Sequence, residues 1–133
     1  MIVDSSALVS ILFEEDGWGS LFNLIANTKD VSLSTGNYVE TCLVIDGRKR
    51  ARLSDRVESL LADLRIQVVP LTPSQARIAR QAFRTYGKGI HSKAGLNFSN
   101  CFAYALAKET GEPLLFVGND IIPASDLPIP TTP

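Results

Sequence analysis

Short apolar stretches alternate with longer stretches of helical periodicity along most of the chain. β-Branched and aliphatic residues predict buried strands at 2–3, 31–33, 66–71 and 113–118. Apolar residues spaced three and four apart predict the helices between them. These predicted helices cover 6–13, 17–27, 34–45, 53–64, a stretch from 73 to an end between 82 and 86, and 101–108. Asp16 and Thr72 are expected to cap the second and the fifth helix, and Gly111 to end the sixth.

Strands that are separated by helices predict an α/β fold in which a mostly parallel sheet carries helices on both faces. The connections between strands should be right-handed crossovers. We find no internal repeat and no linker, so the sequence predicts a single domain over 1–133. Its last part, 127–133, is proline-rich and expected to be irregular.

Composition narrows the possible classes of protein. Of 133 residues, 45% are hydrophobic, which is enough for a folded core. The net charge of −1 gives no global attraction to nucleic acid, so any such ligand would need a local basic patch. Cys42 and Cys101 are too few for a disulfide framework and are expected to be buried thiols. With neither a spanning segment nor a signal peptide evident, we expect a cytoplasmic protein without membrane contact.

Asp4 is the first candidate site residue. It directly follows the predicted strand at 2–3, and ligands of open α/β sheets bind beyond the carboxyl ends of the strands. The alternative is that Asp4 only caps the following helix, a role that Ser5 or Ser6 could also fill. The local sequence leaves both interpretations open.

Three further polar positions extend this pattern. Asn100 and Asp120 also lie at strand or helix ends, and Glu40 lies within an otherwise apolar helix. Leu43 and Val44 follow Glu40 at helical spacing, which predicts that its face points inward. Several buried carboxylates are costly unless a hard cation such as Mg²⁺ or Mn²⁺ binds them. The alternative is that Glu40 pairs with an arginine, and the nearest candidates are Arg48 and Arg50.

Taken together, these stretches resemble PIN-domain ribonucleases of the VapC toxin family. The resemblance covers about 1–126 and is carried by MIVDSSALV at 1–9, NYVET at 37–41, YGKG at 86–89, GLNFSNCFAYALA at 95–107 and EPLLFVGND at 112–120. The 95–107 block followed by the 112–120 strand is the most specific part. The resemblance implies a three-layer α/β/α sandwich with a mostly parallel central sheet.

The resemblance also implies a chemistry, in which acidic residues bind Mg²⁺ or Mn²⁺ and a water activated by the cation cleaves RNA. Asp4, Glu40 and Asp120 match acidic members of that set, while Asp126 matches a more variable one. The metal ligands are then expected to be Asp4, position 100 and Asp120. Ser6 matches a small hydroxyl residue beside the first acid, where it could orient that acid or the substrate.

Asn100 departs from the family pattern, which has an aspartate at this position. An amide keeps a carbonyl oxygen but loses a full charge, so metal affinity and catalysis should both weaken. Two interpretations follow: an endoribonuclease of reduced or lost activity, and a catalytically silent PIN domain that only binds an antitoxin or RNA.

Basic residues near these positions are candidates for holding RNA phosphates. Arg84, Lys88 and Lys93 are the main ones, although such charges often belong to solvated helix faces. His91 is the only histidine, which excludes a nuclease mechanism that needs two. It could contact RNA or simply be exposed.

The resemblance implies two protein partners: a VapB-type antitoxin, whose C-terminal segment fills the active-site groove, and a second copy in a homodimer. Trp18 and Phe22 could contribute to a dimer surface or pack in the core. A haloacid-dehalogenase phosphatase would need an aspartate at position 6, where this chain has Ser6. A phospho-receiver domain would need an acidic pair near the first strand, which is not evident.

Overall fold

The computed structural model describes residues 1–90 and 95–118. It contains four strands, β1 to β4, at Ile2–Val3, Val31–Ser34, Ile66–Val69 and Leu114–Leu115. It contains six helices, α1 to α6, at Ser5–Leu12, Trp18–Ala26, Thr35–Gly47, Ala51–Asp63, Pro73–Tyr86 and Asn100–Thr110.

The four strands form one sheet in the order β3-β2-β1-β4, and every pair is parallel. In register, Ile2 lies opposite Ser32 on one side and Leu114 on the other. The chain moves outward from β1 through β2 to β3, and then returns to place β4 on the opposite side of β1. The predicted α/β fold with a parallel sheet is confirmed.

Side chains of β1 alternate between the two faces of the sheet, as the pleat of a strand requires. Val3 packs in the cluster that α1 to α4 contribute to, whereas Ile2 packs with Ala103, Leu106 and Ala107 of α6. Helix α5 packs in turn against α6. Helices therefore cover both faces, and the predicted three-layer α/β/α arrangement is confirmed.

Large aliphatic side chains fill the face that α1 to α4 cover. We call this cluster the aliphatic core. Its buried members are Met1, Val3, Ala7, Leu8, Ile11, Leu12, Ile25, Val31, Leu33, Ile45, Val57, Leu60, Leu61, Leu64, Ile66 and Leu115. Phe22 packs against it, as the core interpretation predicts, while Trp18 on the same helix is 37% exposed.

Helix ends agree with the sequence in part. Thr72 caps α5 by accepting from the Gln75 backbone N–H at 3.2 Å, and Gly111 ends α6 in the left-handed conformation, both as predicted. Asp16 was expected to cap α2, but Gly17 holds the cap position, with no side-chain hydrogen bond. The prediction that Ser5 or Ser6 caps α1 is also wrong, because Asp4 does so.

Several extents and exposures differ from expectation. Strand β4 spans two residues rather than six, because the backbone at 116–118 leaves the sheet. Leu43 is 65% exposed, so the prediction that this face of α3 points wholly inward is wrong. Cys42 is only half-buried, while Cys101 is buried.

The longest described helix has 14 residues, and no helix over 1–90 and 95–118 could cross a membrane. The proline-rich 127–133 lies outside the described residues.

Candidate active site at the carboxyl edge of the sheet

The carboxyl end of β1 lies beside the point where the strand order reverses. The Asp4 backbone N–H donates to the Leu115 carbonyl at 2.9 Å, which extends the β1–β4 pairing by one residue. Helix α1 begins immediately afterwards, and α3 begins directly after the neighbouring strand β2. Open parallel sheets bind ligands at such switch points, and Asp4 lies at this one, directly after β1.

Asp4 is both a helix cap and a buried acid, so neither earlier interpretation excludes the other. Its Oδ2 accepts from the Ser6 backbone N–H at 3.0 Å, and its Oδ1 accepts from Asn37 Nδ2 at 3.4 Å. Burial raises the pKa of Asp4, the hydrogen bonds from Ser6 partly oppose this, and the charge of Glu40 raises the pKa further. Burial of the carboxylate therefore costs desolvation free energy, which these hydrogen bonds offset only in part.

Glu40 lies on α3 and faces the start of α1. The Ser5 hydroxyl donates to its Oε2, which joins two helices beside Asp4. The alternative that Glu40 pairs with Arg48 or Arg50 is wrong. Both guanidinium groups instead lie over the ring of Phe13, 4.4 and 5.2 Å from its centroid, at the far end of α1.

Asn37 belongs to this site, although the sequence analysis did not single it out. It is fully buried, one helical turn before Glu40, and its Nδ2 donates to the Ser99 carbonyl at 3.0 Å as well as to Asp4. Its Oδ1 has no hydrogen-bond partner among the described residues. Its spacing of three from Glu40 on one helix was the available signal.

Asn100 opens α6 and reaches the same site. It is 8% exposed, and hydrogen bonding from its side chain lowers the pKa of Asp4. We call Asp4, Ser5, Asn37, Glu40 and Asn100 the carboxyl-edge cluster. Three of the predicted site residues, Asp4, Glu40 and Asn100, are thus brought together from distant parts of the sequence.

The remaining predicted site residues are placed less centrally. The Ser6 hydroxyl accepts from the Val117 backbone N–H at 3.0 Å, so it ties α1 to the segment after β4. Arg84 is exposed and lines a groove of about 530 Å³ between α5 and α6, and Lys88 is exposed just beyond α5. The other predicted residues, Lys93, Asp120, His91 and Asp126, lie outside the described residues.

The donor set of the carboxyl-edge cluster fits a hard divalent cation. Asp4 and Glu40 supply carboxylate oxygens, and within 1–90 and 95–118 no lysine or arginine forms an ion pair with either. The unpartnered Oδ1 of Asn37 adds a buried acceptor nearby. The same ranges contain no group of three histidine, cysteine or acidic side chains placed so that they could hold a metal ion, and position 100 contributes an amide instead.

Comparison with known proteins settles the family. The model of the PIN domain matches residues 1–125, almost the whole chain. The chain belongs to the PIN domain family. Among curated proteins, the PIN domain is 44% identical over 120 residues to "Ribonuclease VapC42" of Mycobacterium tuberculosis, covering 90% of this chain and 92% of the relative. It is 42% identical over 118 residues to "Ribonuclease VapC" of Mycolicibacterium smegmatis, covering 89% and 91%.

A third relative, "Ribonuclease VapC28" of M. tuberculosis, is 40% identical over 120 residues and covers 90% of each chain. Together these relatives place this PIN domain in the VapC ribonuclease toxin family, as the resemblance implied. The fold is also similar to the crystal structure of M. tuberculosis VapC20, with a TM-score of 0.68, 19% identity and 90% coverage of both chains. That structure is described as a Sarcin-Ricin loop cleaving toxin, a property of that protein.

Proposed function

We propose that this PIN domain is a metal-dependent endoribonuclease toxin whose activity is weakened by Asn100. Asp4, Asn100 and Asp120 would hold Mg²⁺ or Mn²⁺, with Glu40 as a further acid of the site. When bound, such a cation would supply Lewis-acid stabilisation of charge on the phosphate and activation of water. The observation that carries the proposal is the convergence of Asp4, just after β1, with Glu40 of α3, where no lysine or arginine of residues 1–90 and 95–118 pairs with either acid.

The chain's own residues would orient these acids. The Ser6 N–H and the Asn37 amide fix the two oxygens of Asp4, and the Ser5 hydroxyl fixes Glu40. Preorganisation of this kind lowers the cost of assembling the site when a ligand arrives.

We further propose that phosphates of RNA are held by Arg84, Lys88 and Lys93. Arg84, in the last turn of α5, and Lys88, just beyond its end, are both exposed. A local patch of this kind is what a chain with a net charge of −1 would need to bind a polyanion. A VapB-type antitoxin, a homodimer and a cytoplasmic location remain proposals that rest on membership of the VapC family.

A second candidate function is a silent PIN domain that binds an antitoxin or RNA without cleavage. The observation that favours it is Asn100, a buried amide that brings no charge to this position. A neutral ligand at this position should lower metal affinity and the polarisation of water.

The test is cleavage of a mixed-sequence single-stranded RNA in Mg²⁺ by the wild type, Asn100→Asp and Asp4→Ala. We expect slow cleavage by the wild type, at least tenfold faster cleavage by Asn100→Asp, and none by Asp4→Ala. Asn23→Asp makes the same chemical change on exposed α2 and should behave as the wild type. No cleavage by either wild type or Asn100→Asp, with both proteins folded, would favour the silent binding module.

A further inference from the structure

Aromatic side chains form much of the wall of the groove between α5 and α6. Phe83 lines it from α5, Phe102 from α6, and Phe98 from the turn before α6. Phe98 is 80% exposed, more than any other large hydrophobic side chain that the structure describes. Its ring centroid lies 4.9 Å from that of Phe102, edge to face, so one ring supports the other while most of Phe98 stays open. Exposed apolar surface of this kind indicates a binding site.

The groove borders the carboxyl-edge cluster. Phe98 precedes Asn100, a member of the cluster, by two residues. The Phe102 ring lies so close to Gly36 that a Cβ atom there would overlap it, and Gly36 directly precedes Asn37 of the cluster. A polymeric substrate held at the cluster can therefore extend into this groove.

The charge of the groove is positive. Arg80 and Arg84 line it and are exposed, and its described lining contains no acidic residue. Helix α5 also carries Arg77 and has no aspartate or glutamate. Within 1–90 and 95–118, none of these three arginines forms an ion pair. Exposed rings beside unpaired guanidinium groups are complementary to a polyanion that carries aromatic bases.

The same charges argue against a second copy of this chain in the groove. A symmetric dimer formed through this face would bring Arg77, Arg80 and Arg84 of one copy towards those of the other. Like charges held together across an interface cost free energy. RNA carries the opposite charge and is therefore the better fit.

We infer that the groove holds an unpaired RNA base, which stacks on Phe98 while Arg80 and Arg84 contact the adjoining phosphates. Stacking on an aromatic side chain tolerates any base, because every base has a π face. Bases within a duplex are stacked on one another, so the groove should select single-stranded or looped RNA. The inference rests on the proposed function only for placing the cleaved bond at the carboxyl-edge cluster.

Fluorescence anisotropy of a short labelled RNA, single-stranded or annealed to its complement, tests the inference. Titrations in EDTA measure binding without metal-dependent cleavage. We expect Phe98→Ala to bind the single strand about tenfold more weakly than the wild type and to bind the duplex equally well. Phe98→Trp should keep the wild-type affinity, whereas Phe98→Leu, which is apolar but cannot stack, should resemble Phe98→Ala. Because Phe98 is exposed, these variants should fold as the wild type does.

Trp18→Ala is the matched control for the loss of an exposed ring. Trp18 also forms an edge-to-face pair, with Phe22, but it lies on α2, at the other face of the sheet. This variant should bind both forms of the RNA as the wild type does.

The salt dependence of the same titrations separates stacking from charge. Each phosphate contact that is lost from a single strand reduces the slope of log affinity against log salt concentration by about 0.7. Arg80→Gln should show this change, whereas Phe98→Ala should weaken binding with the slope unchanged. Arg56→Gln removes an exposed arginine from α4, at the other face of the sheet, and should keep the wild-type slope.

Equal binding of the single strand by Phe98→Ala and the wild type would overturn the inference and leave the groove to a protein partner. A dimer that dissociates on this substitution, in sedimentation, with RNA binding unchanged would assign the groove to a second copy. Wild-type affinity in Phe98→Leu would also overturn the inference, since apolar contact alone would then account for binding. Cleavage by the wild type in Mg²⁺ alongside any of these results would leave the proposed function standing. Stacking-dependent binding without cleavage by any variant would leave only the inference standing.

Discussion

The aliphatic core and the carboxyl-edge cluster both take residues from α1 and α3, but they are built on opposite principles. In the core, buried side chains such as Leu33, Ile25 and Ile45 are fully enclosed by apolar neighbours. In the cluster, Asp4 is equally buried but lies beside another carboxylate, Glu40, and beside an amide oxygen without a described partner.

Residues of the aliphatic core stabilise the fold, whereas the buried acid of the carboxyl-edge cluster reduces its stability but provides ligand-binding groups. Burial of apolar surface favours folding, whereas a desolvated carboxylate near a like charge opposes it. Sites that violate the usual rules of burial are expected where a ligand is bound. Substitutions in the two regions should therefore change stability in opposite directions.

The largest expected effect belongs to the core. Leu61→Ala on α4 should lower the free energy of unfolding by about 3 kcal/mol, because it removes a buried side chain and leaves a cavity. Urea denaturation measures the loss, provided that the wild type and the variant unfold with the same dependence of free energy on urea concentration. Leu43→Ala on the exposed face of α3 is the control and should change stability by less than about 0.5 kcal/mol. Similar losses at both positions would contradict the assignment of the core.

An intermediate effect is expected where α3 and α6 approach each other. A Cβ atom on Gly36 would lie 2.4 Å from Phe102 Cδ2, so Gly36→Ala should force the ring or the helix to move. We expect a loss of about 2 kcal/mol. Gly47→Ala, at the end of the same helix, meets no atom within 4 Å and should be neutral or slightly stabilising. Comparable melting temperatures for the two variants would show that the close contact is unimportant.

The smallest effect should have the opposite sign and lies in the cluster. Glu40→Gln keeps an acceptor for the Ser5 hydroxyl but removes the charge that raises the pKa of Asp4. In EDTA at neutral pH, we expect a gain on the order of 1 kcal/mol in the free energy of unfolding. Glu15→Gln removes the same charge at an exposed position and serves as the control.

The pH dependence of this gain follows from the direction of the Asp4 pKa. Because the pKa is higher in the folded state, the folded chain holds the Asp4 proton more tightly than the unfolded chain does. The resulting stabilisation is full below about pH 4 and is lost as the pH rises through the folded-state pKa. The gain in free energy of unfolding of Glu40→Gln over the wild type should therefore increase as the pH rises. A difference that shrank with rising pH would refute the proposed repulsion.

Much of the fold could be predicted because the determining forces are local in sequence. Apolar periodicity located all six helices, and the Thr72-Pro73 pair placed the start of α5 within one residue. The errors came from tertiary context. Val39 and Leu43 have the spacing of an apolar helix face, but no described element covers them. Both are exposed, so their hydrophobicity did not predict burial. The cap at Asp16 failed because Gly17 adopts a left-handed conformation that moves the cap by one residue.

The site was predictable in part. Asp4 and Glu40 could be found because an acid after a strand and an acid in an apolar helix are each unusual. Asn37 was missed because a single buried amide has no distinctive pattern without knowledge of its neighbours. The reciprocal capping of Asn97 and Asn100, in which each side-chain oxygen accepts from the other's backbone N–H, was also missed, although a spacing of three at a helix start is a known signal. The pairing of Glu40 required coordinates, because sequence proximity favoured Arg48 and Arg50 incorrectly.

The parallel pairing of β1 with β4 joins the first and the last of the four described strands. During synthesis, Ile2 and Val3 leave the ribosome long before Leu114 and Leu115 are made, so the central strand must wait for its second neighbour. Contacts between such distant segments form late and slowly. The order of the strands therefore delays the completed arrangement around Asp4 until β4 has been translated.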